Sequence, residues 1–109
     1  MAQFSDFEKL DIRVGEILEA KEFKEAKKPA YIVTIDFGPE VGIKQSSAQL
    51  TECYTPQTLV GRQILAIVNF PVRQIANFHS EVLVLGTYSD QGVVLIQPEQ
   101  VVSPGDKLG

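Results

Sequence analysis

The chain has 109 residues, 44% of them hydrophobic and 22% charged, with a net charge of −4 at neutral pH. That length and composition fit one globular domain, expected to span residues 1–109 with its core from about residue 8, and exclude the disordered class. No run nears the ~18 apolar residues of a membrane span, and the acidic start MAQFSDFEKL lacks the apolar stretch of an export signal. A cytoplasmic protein with no direct membrane insertion is therefore expected.

The chain holds one cysteine, Cys53, and one histidine, His79. Neither has a partner for an internal disulfide or a zinc set, so no metal and no cofactor are expected. Cys53 reads as a half-buried structural thiol. The acidic balance also limits nucleic-acid binding to a local basic patch, because that affinity comes mainly from Lys and Arg on phosphates.

Ser5 and Glu8 fit a capping box opening a short helix, and Phe4, Phe7 and Leu10 recur along it at helical spacing. That stripe either closes the bottom of the chain's own barrel or packs on a second subunit. Strand-like alternation follows at Leu10, Ile12 and Val14. Gly15 breaks it, and the apolar residues resume out of phase at Ile17, which predicts a bulge at a bend. Residues 21–29, KEFKEAKKP, form a charged connection holding four of the ten basic residues.

Ala30 to Phe37 is expected as the second strand, with Tyr31, Val33, Ile35 and Phe37 on one face. Gly38-Pro39 is expected to turn tightly into a third strand, with Val41 and Ile43 inward and Lys44 and Ser46 opposite. Thr55-Pro56 reads as an N-cap and first helical residue, and Gly61 as the stop. Residues 62–70 and 81–86 read as strands, while 71–80 looks too irregular for a strand and too short for a stable helix. Residues 93–97 make a last strand, followed by a tail punctuated at Pro98 and Pro104. The fold expected is all-β. Five strands with a short helix between the third and fourth, a short N-terminal helix and C-terminal extension strands match the OB-fold barrel.

Catalytic motifs are missing: there is no nucleophile elbow, no phosphate-cradling glycine loop and no metal cluster. His79 and Glu81 share a face in an extended stretch. A loop histidine and a structural acceptor is the favoured reading of that pair, so no catalytic residue is expected and the chain is not expected to be an enzyme. Two segments read as recognition surface. In the first, from Ile43 to Gln49, Lys44, Gln45, Ser46 and Ser47 make a hydrogen-bonding platform, the bland alternative being a strand end in which Ser47 caps the following helix. In the second, from Asn69 to Glu81, the residues Asn69, Phe70, Arg73, Asn77, Phe78, His79, Ser80 and Glu81 are groups that stack on bases or grip peptide backbones.

The stretches DIRVGEILEA, IKQSSAQLTECY and NFPVRQIANFHSEVLVLG resemble the tRNA-binding OB domains found at the C-terminus of methionyl-tRNA synthetases and in free-standing relatives. KQSSAQ and NFP…SEVLVLG resemble the CsaA-type protein-export chaperones of that family. The resemblance runs from about Phe4 to Gly109. It implies a homodimer with Phe4, Phe7 and Leu10 at the interface, and a protein that holds unfolded precursor polypeptides for export, with the export machinery as a further partner. tRNA is the alternative ligand on the same face. Two departures weigh against tRNA: the first loop reads EFKEAKKP where RNA-binding relatives commonly show H-P-x-A-D-K, and Leu83 stands where their last motif ends in methionine.

Overall fold

The computed structural model describes residues 1–109. Helices α1 (Phe4–Glu8), α2 (Gly38–Val41) and α3 (Pro56–Leu59) are short. The strands are β1 (Ile12–Glu22), β2 (Tyr31–Asp36), β3 (Ile43–Ala48), β4 (Gln63–Ile67), β5 (Arg73–Ile75), β6 (Phe78–Ser80), β7 (Leu83–Val84), β8 (Gly86–Ser89) and β9 (Gly92–Leu95). The main sheet is antiparallel, ordered β3-β2-β1-β4-β7, and curls into a nearly closed OB-type barrel. No helix is long and apolar enough to cross a membrane.

The long strand β1 serves two neighbours, pairing β4 from Ile12 to Glu16 and β2 from Glu16 to Glu22. Its bulge lies between Ile17 and Glu19, not at Gly15, and Leu18 is turned outward there, 39% exposed. Gly15 has a different task. A Cβ on it would sit 2.4 Å from Ile35 and 2.6 Å from the Phe37 ring, so glycine permits a close approach inside the bend.

The core follows the expected face of β2. Tyr31, Val33, Ile35 and Phe37 are buried with Ile17, Ile64, Ala66 and Val82. Leu59, on α3, closes one end at 0% exposure. Thr55 caps α3 as expected, exchanging bonds with Thr58 at 3.0 and 3.3 Å. For α1 the cap is displaced: Asp6, not Glu8, reaches back, accepting from the Gln3 N–H at 2.9 Å, and Ser5 lies within the helix.

Gly38-Pro39 begins a helical turn instead of a tight two-residue reversal, and Gly42 at φ 87° delivers the chain to β3. This extra turn inverts the expected face of β3. Ile43 points outward at 60% exposure, while Ser46 is 1% exposed opposite Val33. Residues 71–80 are more regular than expected. They form a hairpin, β5–β6, around the two residues Ala76 and Asn77, with Ala76 at φ 53°. The expected strand 81–86 shortens to β7, and the chain leaves at Gly86 for the β8–β9 hairpin.

The tail returns along β1 and β4. The Gln63 amide bonds both main-chain groups of Val102, at 2.6 and 3.0 Å, as a strand neighbour would. The N–H groups of Gly105 and Leu108 donate to Val14 and Ile12. Arg13 fastens this layer, its guanidinium contacting both Asp11 oxygens at 2.6 and 3.3 Å, Glu40 at 3.0 Å and the Gly105 carbonyl at 3.1 Å. The Arg13 hydrogen bond holds the Asp11 carboxyl below the usual carboxylate range against an opposing effect of burial, with the charges of Arg13 and Lys107 assisting.

A carboxyl depressed in the folded state contributes stability above its unfolded pKa of about 3.9 and loses it as pH falls through the lower folded value. Urea unfolding between about pH 5 and pH 2 should therefore show a smaller acid-induced loss for Asp11→Asn than for wild type. Equal losses would contradict this assignment.

Candidate binding site

The two segments that read as recognition surface come together along the free edge of β3. In this strand Ser46 pairs with Val33, so the main-chain groups of Gln45 and Ser47 point away from β2. Residues 80–82 receive them. Glu81 N–H donates to the Gln45 carbonyl at 2.8 Å, and Gln45 N–H donates to Glu81 Oε1 at 3.0 Å. Ser47 N–H donates to Ser80 Oγ at 3.0 Å. Ser46 Oγ in turn donates to the Val82 carbonyl at 2.8 Å. Three side-chain bonds and a single backbone bond thus close the barrel where a full backbone ladder would otherwise run.

Three concavities meet at this seam, and Ser47 and Arg73 line all three. The largest, ≈ 490 Å³, lies between the β1–β2 connection and the β5–β6 hairpin, with Lys27, Lys28, Gln49, Gln74 and Ile75 on its walls. A narrower slot of ≈ 250 Å³ is bounded by Phe70, Pro71, Val82, Leu83 and the Ser80–Glu81 pair. The third, ≈ 370 Å³, runs past Leu50, Leu83, Val84, Tyr88 and Val93. The Phe23 and Phe78 rings pack edge to face, centroids 5.4 Å apart, and fasten the hairpin to the β1–β2 connection.

The expected site residues separate clearly. Arg73, Phe70, Ser47, Ser80 and Glu81 come together around the concavities, with Phe70 43% exposed. Ser46 and Ser80 are buried at 1% and 7%, because the inverted face of β3 turns Ser46 into the seam and Ser80 caps it. Lys44 pairs with Glu81 Oε2 at 3.9 Å, and the Gln45 amide donates to Thr34 Oγ1 at 3.2 Å. Asn69 holds the end of α1 to β4, accepting from Asp11 N–H and donating to the Lys9 carbonyl, both at 2.9 Å. Phe78 faces Phe23. Asn77 and His79 are exposed on the hairpin and line none of the three concavities.

Sequence reasoning held Gln49 and Ile75 within its two recognition segments and missed Leu83 and Tyr88 as site residues. Tyr88 is 97% exposed on the β8–β9 hairpin, and its GTYSD setting carried a turn signal that said nothing of where the hairpin folds. Cys53 is exposed, not half-buried, and its thiol donates to the Gln91 carbonyl at 3.3 Å. The apolar stripe of α1 does not enter the barrel: Phe4 is 73% exposed, and Phe7 and Leu10 border a ≈ 350 Å³ hollow with Lys107 and Leu108.

A family model described as a putative tRNA binding domain matches residues 12–107. The chain belongs to this family. As a tRNA-binding-type domain it is 34% identical over 103 residues to the methionine–tRNA ligase of Archaeoglobus fulgidus, and 33% identical over 106 residues to that of Pyrococcus horikoshii. These alignments take in 94% and 97% of the domain but span only 15% and 14% of the ligases. Among solved structures it superposes on the CsaA chaperone protein of Picrophilus torridus with a TM-score of 0.96, at 52% identity and full coverage of both chains. For chaperone CsaA of Bacillus anthracis the TM-score is 0.93 at 52% identity, covering 100% of this chain and 99% of that one.

Removing one partner of the buried seam leaves the Val82 carbonyl unpaired. Ser46→Ala should lower the unfolding free energy of this domain by about 1–3 kcal/mol in denaturant titration. Ser47→Ala removes a hydroxyl from a half-buried position and should change stability by less than about 0.5 kcal/mol. Equal costs would contradict the seam.

Proposed function

We propose that the domain is a homodimeric, chaperone-like binding protein that holds unfolded precursor polypeptides for export in the cytoplasm. One observation carries the reading: Ser47 and Arg73 stand at the junction of three concavities whose walls mix apolar surface (Phe70, Leu83, Val84, Ile75) with hydrogen-bonding groups. An extended chain needs this mixture, since it presents apolar side chains and unpaired peptide groups together. The full-length likeness to two CsaA chaperone structures at 52% identity supports it. No side-chain pair of the site suggests chemistry, because Ser80, Glu81 and Lys44 are engaged with one another and with β3.

Dimerisation rests on α1. An exposed Phe4, its ring tilted against Phe7 with centroids 6.1 Å apart beside the hollow at Leu10 and Leu108, presents surface that a second copy would cover. Two grooves on one dimer raise the apparent affinity for a single unfolded chain through effective concentration.

A second reading has its own support. Lys27, Lys28 and Arg73 surround the largest concavity, and the family model is described as tRNA-binding. With about three phosphates contacted, affinity should fall about tenfold for a threefold rise in salt.

Binding of an unfolded, fluorescently labelled precursor should weaken by about tenfold or more in the Phe70→Ala/Arg73→Ala double variant. Unchanged affinity would eliminate this groove. In the same preparation, a tRNA gel shift at about 50 mM salt separates the readings: a shift abolished by moderate salt supports the RNA reading, and no shift removes it. Phe4→Glu should convert the sedimenting species from dimer to monomer, and a wild-type monomer would remove the dimer.

A further inference from the structure

The hydrogen bonds along the edge of β3 stop at a definite point. Three consecutive outward groups are filled by residues 80–81: Gln45 N–H, Gln45 C=O and Ser47 N–H. The next two are not. The Ser47 carbonyl has only the Ser46 hydroxyl at 3.3 Å, and that hydroxyl makes its shorter bond, 2.8 Å, to Val82. The Gln49 N–H donates to no protein acceptor, since the chain turns beyond it through a Leu50 N–H bond to the Ala48 carbonyl. Both residues line the concavities, so this short stretch of strand edge opens onto the site.

An acceptor at Ser47 followed by a donor at Gln49 is the pattern one residue of an added parallel strand would fill, donating to the first and accepting from the second. We infer that the domain takes an extended polypeptide by strand addition to the open edge of β3 at Ser47–Gln49, with an apolar side chain of that polypeptide seated in the Phe70–Pro71–Leu83 slot. The occupant is an unfolded polypeptide segment, because a folded chain leaves such main-chain groups free only at exposed sheet edges whereas an unfolded one offers them along its whole length. Charge narrows the occupant further: Lys27, Lys28 and Arg73 outnumber Glu25 around the largest concavity, and Glu81 at the slot is paired with Lys44, so acidic or neutral residues flanking the apolar anchor are favoured over basic ones. Recognition through the main chain is indifferent to sequence, which suits a protein receiving many unfolded clients.

This inference rests on the polypeptide-holding reading and specifies its mode. The probe is an unstructured, leucine-containing peptide with an end label, compared with two versions N-methylated at alternate residues on either side of the leucine. Methylation on the face toward β3 should weaken binding by about tenfold or more, and methylation on the other face by less than about twofold. Gln49→Pro, which deletes the main-chain donor from a loop position, should weaken the parent peptide about two- to tenfold more than Gln49→Ala, which removes the side chain but keeps that donor. Equal sensitivity to both methylation patterns overturns strand addition while leaving polypeptide binding intact. No binding of the unmethylated peptide overturns both. Should Gln49→Pro fail to fold by thermal melt, the methylation pair alone decides.

Discussion

A closed barrel has no edges, but a small one whose fifth strand is only Leu83–Val84 cannot close by backbone pairing alone. Ser80 and Glu81 supply the missing partners by lending side-chain oxygens to the N–H groups of Ser47 and Gln45. Ser46 returns the favour from inside, donating to Val82. Everything at the site depends on this seam. It brings Arg73 and Phe70, which lie on the connection before it, against the end of β3, and it decides where the edge of β3 remains open.

The same seam explains why chemistry and binding diverge here. Glu81 and Ser80 look reactive in a linear reading, being a carboxylate and a hydroxyl beside a histidine. In the fold both oxygens accept backbone N–H groups, and His79 lies exposed across the hairpin from Gln74. What is left for a ligand is concave surface, a few unpaired main-chain groups and an arginine. Those are the elements of recognition by shape and peptide backbone, and OB barrels with such surfaces serve many different partners.

Much of the architecture was legible because apolar periodicity reports burial directly. Tyr31, Val33, Ile35 and Phe37 alternate without interruption and all four are buried, and Thr55-Pro56 with Gly61 marks α3. The face of β3 was not legible. A helical turn at Gly38–Val41 consumes Val41, so a pattern read through a tight turn arrives one residue out of phase. The β5–β6 hairpin was hidden for a related reason: its turn places Ala76 at positive φ where the usual signal is Gly or Asn. For the site, Arg73, Phe70 and Ser47 carried enough polar or aromatic character to be noticed. Tyr88 was invisible because only the folding-back of the β8–β9 hairpin brings it to the groove.

Backbone amide NMR during titration with an unfolded precursor tests the central claim most directly, since it reports every residue of the domain at once. Convergence at the seam predicts that shifts concentrate at Ser47, Gln49, Phe70, Arg73 and Leu83, with Asn77 at the hairpin tip and His79 on β6 unaffected. Shifts centred on the hairpin tip, or on the far side of the barrel around Leu18 and Val60, would contradict it.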